Sequence, residues 1–351
     1  MDLNNSNQFA AIDDSDMYTH IHSLPDQLAN AWRLGFSMNM PEFREIQQII
    51  VAGMGGSAIG ADLLGSFLAD RLAVPYQVLR DYTLPVFAAG AKTLLIASSH
   101  SGNTEEVLSA FESGINNGCQ MAAICTGGKL EMRANEKGIP VWKFDHVGQP
   151  RTAVGFSFAL LMALLTRAGL IPDLSAEMQT AVEVMKSFQQ QLGCDVPVVK
   201  NPAKRHAGNL VGRHVTVFAS GFMAPVARRW KTQINELAKA FATYEPIPEA
   251  DHNTLAGIFN PESVLEREYS VFIHASQDDP RNQLRLAKTH EIMMLEGLGT
   301  DIFHAKGETK LEQMWSSILF GDYLSYYLAL AYDTDPTPIP PITALKEEMA
   351  K

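Results

Sequence analysis

Cysteine is scarce: Cys119, Cys125 and Cys194 are the only three, and no pair stands in a C-x-x-C spacing. That excludes a disulfide framework and a cysteine zinc site, and an odd count suits a reducing compartment. Basic residues are also few, with 28 Lys and Arg against 39 Asp and Glu and a formal net charge of -11. Nucleic acid and anionic membrane both reward a basic surface, so neither is expected as a main partner. A small anion remains admissible, because a few N–H groups and one Arg hold a phosphate locally. Long hydrophobic runs are missing as well. The densest, FSFALLMALL over 156–165, is about half of what a bilayer crossing takes. The opening MDLNNSNQFAAIDDSDM lacks the basic region and apolar core of a secretory signal. These absences together predict a cytoplasmic protein. No G-x-x-x-x-G-K-[ST] pattern occurs, which argues against nucleotide hydrolysis, and no HExxH-like ligand set occurs.

What is present is apolar residue, 46% of 351 positions against 19% charged. This excludes general disorder and is enough for two domains of ordinary size. Short apolar runs alternate with helix-like segments. QIIVAG (48–53), VPYQVL (74–79), TLLIASS (93–99), MAAICT (121–126) and PVWKF (140–144) read as strands, several buried on both faces. Segments 57–72, 103–118 and 129–138 between them carry helical spacing. After a polar stretch near 193–202 a second cycle follows: strands at 214–220, 269–276 and 300–306, helices at 225–242, 282–296 and 311–331. The pattern predicts an α/β protein of two doubly wound domains, 1–185 and 186–351. The Pro-rich DPTPIPPITALK (335–346) is expected to be a packed segment rather than a loose tail.

Two loops could hold a phosphate. Gly53-Met54-Gly55-Gly56-Ser57-Ala58 ends the first strand and opens a helix, where glycines let backbone N–H groups approach an anion. Two other readings stand beside it. Gly53-x-Gly55-x-x-Ala58 also satisfies the dinucleotide fingerprint, with Asp81 as a ribose-binding acid, and a tight turn needs no ligand. The second loop, Ser98-Ser99-His100-Ser101-Gly102-Asn103-Thr104-Glu105-Glu106, gathers three hydroxyls, Ser99, Ser101 and Thr104, around one Gly at another helix start. Hydroxyls plus helix N–H donors suit a phosphate monoester. A capping box of Asn103 with Glu106 is the competing explanation, and it leaves Ser99, Ser101 and Gly102 unused.

Together GMGGSAIGADLL (53–64) and S-x-S-G-N-T-E-E (99–106) resemble the sugar isomerase (SIS) domain superfamily. Within it the best match is the bifunctional phosphoglucose/phosphomannose isomerase family. The likeness continues through PRTAVGFS (150–157), ARRWKTQINELAK (227–239), PEADHNTLAG (248–257) and DPTPIPPITALK. It implies two SIS domains, each a flavodoxin-like αβα sandwich around a parallel sheet. It also implies an aldose–ketose isomerase that moves a proton between C1 and C2 of a sugar phosphate through an enediol. That chemistry needs one positioned base and stabilisation of the developing oxyanion, and it requires no cofactor and no metal.

The resemblance assigns roles residue by residue. Glu236 is the base. On its own a helix Glu three residues before Lys239 reads as an exposed paired carboxylate. His252 opens the sugar ring and is contributed by the other subunit, which implies a homodimer. Lys346 polarises ring opening or the enediolate, and Arg151 stabilises its negative charge. Gly55, Gly56, Ser57, Ser99, Ser101 and Thr104 bind the substrate phosphate. Family members often carry Tyr where this chain has His100, whose side chain is expected to point away from the phosphate. His20, His22, His146, His206, His214, His274, His290 and His304 stand in no special context and are expected to be structural or surface residues. Two readings of other kinds stay open: a non-catalytic sugar-phosphate-binding SIS protein, and an isomerase of another phosphosugar. A dehydrogenase built on the first loop would leave the Ser/Thr loop unexplained.

Overall fold

A computed structural model of the chain describes residues 2–349. Two compact units emerge. One runs from Ser23 to Glu183, and the other joins the residues up to His22 to the chain from Val184 onward. The opening helices α1 (Met17–His22) and α2 (Leu24–Ser37) therefore fall in different units.

The Ser23–Glu183 unit contains strands β1 (Gln48–Ala52), β2 (Tyr76–Leu79), β3 (Thr93–Ser99), β4 (Gln120–Cys125) and β5 (Val141–Lys143). Its other helices are α3 (Gly55–Phe67), α4 (Glu105–Asn116), α5 (Gly128–Glu136), α6 (Val154–Arg167) and α7 (Ser175–Gln189). The last residues of α7 pass into the other unit. The sheet is wholly parallel in the order β2-β1-β3-β4-β5. Every residue of β3 is buried, which is why its sequence reads as an unbroken apolar run. Successive side chains point to opposite faces. Ile50, Ala52, Leu95 and Ala97 join Val107, Phe111 and Leu130 in one core cluster. Ile49, Val51, Leu94 and Ile96 are equally buried on the face toward α3. Because strand order reverses between β1 and β3, a crevice opens outside their carboxyl ends, the place where doubly wound sheets bind ligands.

The second unit contains α8 (Pro202–Leu210), β6 (His214–Ser220), α9 (Ala224–Leu237), β7 (Ala242–Ile247), α10 (Glu262–Leu265), β8 (Glu268–His274), α11 (Pro280–Leu295), β9 (Gly299–His304), α12 (Lys310–Ala331) and α13 (Pro340–Met349). Its four strands are parallel in the order β7-β6-β8-β9, which repeats the reversal. At the centre lies α12, which starts on a capping box formed by Thr309 and Glu312 and is buried from Leu311 to Leu330. A helix apolar on all sides belongs in a core. Among the described residues no helix is long and apolar enough to cross a membrane.

Three expectations need correction. The helix predicted over 225–242 stops at Leu237. Lys239 adopts a left-handed φ of 53° and the chain turns into β7, a strand the sequence hid behind Pro246. As the edge strand of its sheet, β7 tolerates a proline. Secondly, residues 2–22 cluster with the chain from Val184 onward rather than with Ser23–Glu183, unlike the expected 1–185 boundary. Tyr18 meets Tyr323 and Tyr326, and Phe9 meets Tyr327. The buried Lys204 ammonium, which donates to the Cys194 and Val196 carbonyls at 2.6 and 2.9 Å, lies over the Phe9 and Tyr327 rings. Finally, the Pro-rich end is packed only in its first part: Pro336 is buried and the Asp335 carbonyl accepts from Lys239 at 2.7 Å, whereas no residue of α13 is buried.

Candidate active site

Both phosphate-loop candidates sit at the β1/β3 crevice. Immediately after β1, α3 opens at Gly55 with Met54 as its N-cap, no capping side chain and no acidic residue in its first turn. The N–H groups of that turn therefore lack a side-chain acceptor. Gly56 is required by close approach, since a Cβ there would lie 2.4 Å from the Pro150 carbonyl oxygen. After β3, the second loop builds its own frame. The Ser99 and Thr104 hydroxyls are hydrogen-bonded at 2.9 Å. Gly102 N–H donates to Ser99 Oγ at 3.1 Å, and Asn103 N–H to Ser101 Oγ at 3.2 Å. Gly102 has a φ of 65°, and a Cβ would fall 1.8 Å from the Gly127 carbonyl oxygen, so only glycine fits. The N-cap of α4 is Thr104, again without a side-chain cap bond. The capping box is thus absent, and Asn103 instead accepts from Lys129 N–H. His100 N–H donates to Ser57 Oγ at 3.2 Å, which ties the two loops together.

Arg151 belongs to a short 3-10 turn, Pro150–Thr152, and is only 3% exposed. A solvated surface Arg is ruled out by that burial. Packing of Gly56 on Pro150 places the turn directly against the first loop. The His100 ring meets His146, Nε2 to Nδ1 at 2.9 Å, and His146 Nε2 is 3.3 Å from Thr152 Oγ1. A two-histidine chain therefore runs from the second loop to the residue beside Arg151. His146, with no special context in the sequence, is structural in this specific sense.

Burial lowers the His100 pKa below its usual 6.5, as it does for His206, His274 and His290. Such a histidine stays neutral when folded but binds a proton when unfolded. Its stabilisation is present above the unfolded value and lost as pH falls through it. Thermal unfolding is accordingly expected to show a Tm that drops between about pH 7.5 and about pH 5.5, with a shallower drop in His100→Phe. A flat profile in the unsubstituted chain would refute this.

At the second unit's own strand reversal, the corresponding place is filled. Asp278 accepts from the Ser220 hydroxyl and crowds Gly221, where a Cβ would meet Asp278 Oδ1 at 2.1 Å. An internal carboxylate stands there in the position an anion would take. In the crevice of the Ser23–Glu183 unit the first turn of α3 carries no acidic residue, while that of α4 carries Glu105 and Glu106.

The remaining predicted residues lie on three elements of the second unit. Glu236 is half-buried in the last turn of α9. The Lys239 ammonium three residues on donates to the main-chain carbonyls of Glu236, Leu237 and Asp335 and so caps the helix. His252 is exposed in a 3-10 turn, Glu249–His252. Its neighbour Asp251 anchors the turn to α11 by accepting from Arg285 at 3.0 Å and Thr289 at 2.7 Å. Lys346 is exposed on α13.

A family model, the bacterial phospho-glucose isomerase C-terminal SIS domain, matches residues 199–349. A bifunctional phosphoglucose/phosphomannose isomerase from Caldicellulosiruptor bescii is 36% identical over 338 residues, which span 95% of this chain and 99% of that protein. The chain belongs to the bifunctional phosphoglucose/phosphomannose isomerase family. Another bifunctional phosphoglucose/phosphomannose isomerase, from Aquifex aeolicus, is 33% identical over 86% of this chain and 90% of its own length. In fold, the chain is similar to the tagatose-6-phosphate ketose/aldose isomerase from Escherichia coli, with a TM-score of 0.67 at 16% identity over 92% of this chain and 95% of that one. The two parallel sheets of this family member are thus SIS domains.

Sequence reasoning missed three supporting residues: His146, Asp251 and Gln233. Gln233, one turn before Glu236 on α9, is 1% exposed, and neither of its amide atoms has a hydrogen-bond partner. Buried amides are nearly always satisfied, by protein, water or ligand. Gln233 falls inside the ARRWKTQINELAK segment, but nothing in the segment marks it as buried and unsatisfied.

Proposed function

We propose that this protein interconverts glucose 6-phosphate and mannose 6-phosphate with fructose 6-phosphate, as a cytoplasmic homodimer and without a metal. The observation that carries the reading is the joined pair of loops at the β1/β3 crevice. Two helix starts without capping side chains and a hydroxyl-lined turn converge there, tied by the His100–Ser57 hydrogen bond. Gly55, Gly56, Ser57, Ser99, Ser101 and Thr104 hold the phosphate dianion, and binding energy spent away from the reacting carbons orients the sugar. His252 protonates the ring oxygen and accepts the C1 hydroxyl proton, which opens the ring. The Glu236 carboxylate then takes the C2 proton of the aldose, and the C–H electrons form the C1–C2 double bond as the carbonyl π electrons move onto O1. O1 gains a proton while O2 gives its own up, and Glu236 returns its proton to C1. Arg151 and Lys346 stabilise the enediolate oxygens during the transfer. Glucose and mannose 6-phosphates give the same enediol, because they differ only at C2.

A coupled assay of fructose 6-phosphate formation, run on chelator-treated enzyme with each aldose phosphate, tests the proposal. Turnover of both is expected. Turnover of neither, with phosphate binding retained, would favour a sugar-phosphate-binding protein or an isomerase of another phosphosugar.

Support for the dimer comes from α13, whose Ile342, Leu345 and Met349 are 41%, 60% and 58% exposed at helical spacing. If His252 crosses a two-fold interface, a mixture of inactive Glu236→Gln and His252→Ala chains regains activity on subunit exchange. Half of the random dimers are then mixed and each has one intact site, so about a quarter of the original activity returns. No recovery would place both residues in one subunit's site.

A further inference from the structure

We infer that the second unit carries a separate site for a small phosphorylated metabolite, in a cavity between α8, the end of β9 and α12. The cavity is about 280 Å³ and is lined by Lys200, Arg205 and Lys306 together with Phe188, Phe303 and Phe320. None of the residues proposed for the isomerase site lines it.

Charge argues first. The chain as a whole is acidic, at -11, yet three permanent cations from three different segments converge on one concavity. Among the described residues no carboxylate lies within ion-pairing distance of any of the three. Asp301, the neighbour in sequence of the lining residue Ile302, is engaged by His206 Nδ1 at 3.3 Å. Converging like charges repel, and the repulsion is offset when an anion enters. Arg adds a planar donor fork matched to phosphate oxygens.

The remaining wall is aromatic. Phe188 and Phe320 stack with centroids 6.1 Å apart and planes within 7°, and Phe303 stacks on Phe320 at 4.2 Å. The Lys306 ammonium stands 5.9 Å from the Phe188 centroid, at the edge of that wall. His206 packs edge-on to Phe320 at 5.4 Å, and burial keeps it neutral more readily than a free histidine. His304 is the other titratable group on the lining. A volume of about 280 Å³ is at the small end for ligand sites. The arrangement fits a phosphoryl group against the cations with a compact body lying on the rings.

Pyridoxal 5′-phosphate serves as a probe that reports its own location. Its aldehyde carbon bonds to a lysine amine with loss of water, and borohydride reduces the imine to a stable secondary amine. With the full chain and limiting reagent, peptide mass spectrometry should find Lys200 or Lys306 labelled at least about fivefold faster than the exposed Lys92 and Lys137. Inorganic pyrophosphate should suppress that excess, and Arg205→Ala, checked for an unchanged Tm, should reduce it about tenfold. Labelling of both lysines at the rate of Lys92 and Lys137 would overturn the inference. So would equal labelling by pyridoxal, which has the ring and aldehyde but no phosphate.

Discussion

Asp322→Ala is expected to destabilise the second unit by about 3–5 kcal/mol. The carboxylate accepts from Arg229 Nε at 3.1 Å and Nη2 at 2.8 Å, a two-pronged pair between α12 and α9. Both side chains are almost wholly buried, at 1% and 4% exposure. Removing the carboxylate takes two charge-assisted hydrogen bonds from a guanidinium in a low-dielectric core, and breaking a buried pair from one side sets the cost. For a unit of this size the loss corresponds to a fall in Tm on the order of 10 °C. Replacing both partners, as Arg229→Met with Asp322→Leu, should cost less than either single change, because neither half of the buried pair is left behind. Thermal unfolding of the three variants checks this. Equal losses in the single and double variants would mean that shape, not charge, dominates. The pair also bears on activity: with the Trp230 indole donating to the Ser317 carbonyl at 2.8 Å, it fixes the helix that carries Glu236.

Glu236→Gln is expected to lower kcat by about 10²–10⁴, the range a general base supplies. The amide keeps the shape of the side chain but cannot take the C2 proton. Glu236 is half-buried, and Lys239 caps the helix through main-chain carbonyls that the substitution leaves in place. Tm and KM should therefore stay close to their original values while kcat falls. A loss shared by Tm, or a KM effect with kcat intact, would assign Glu236 a structural or binding role instead.

Much of the architecture was legible because it is local. The runs at 93–99 and 214–220 are strands over those same residues, since continuous apolar sequence in this setting means burial on both faces. The failures have equally specific causes. The strand β7 follows a helix ended by Lys239 rather than by glycine, so the usual stop signal was missing. Attachment of the first residues to the second unit rests on contacts such as His22 Nδ1 with Tyr323 Oη, 301 positions apart. No local pattern encodes such a contact. In the candidate site, glycines and hydroxyls were visible as motifs. By contrast, the His100–His146 chain, the burial of Arg151 and the unsatisfied Gln233 depend on what folding brings alongside. Asp278, which fills the second unit's reversal, is likewise an ordinary acidic loop residue until β6 and β8 pair.

The measurement that bears most directly on the proposed activity starts from fructose 6-phosphate alone in deuterated water, followed by NMR on the chelator-treated protein. The account predicts that glucose 6-phosphate and mannose 6-phosphate both appear, carrying deuterium at C2 once many turnovers have let the enediol base exchange with solvent. Fructose 6-phosphate that remains unchanged, or a product altered at any carbon other than C1 and C2, would contradict it.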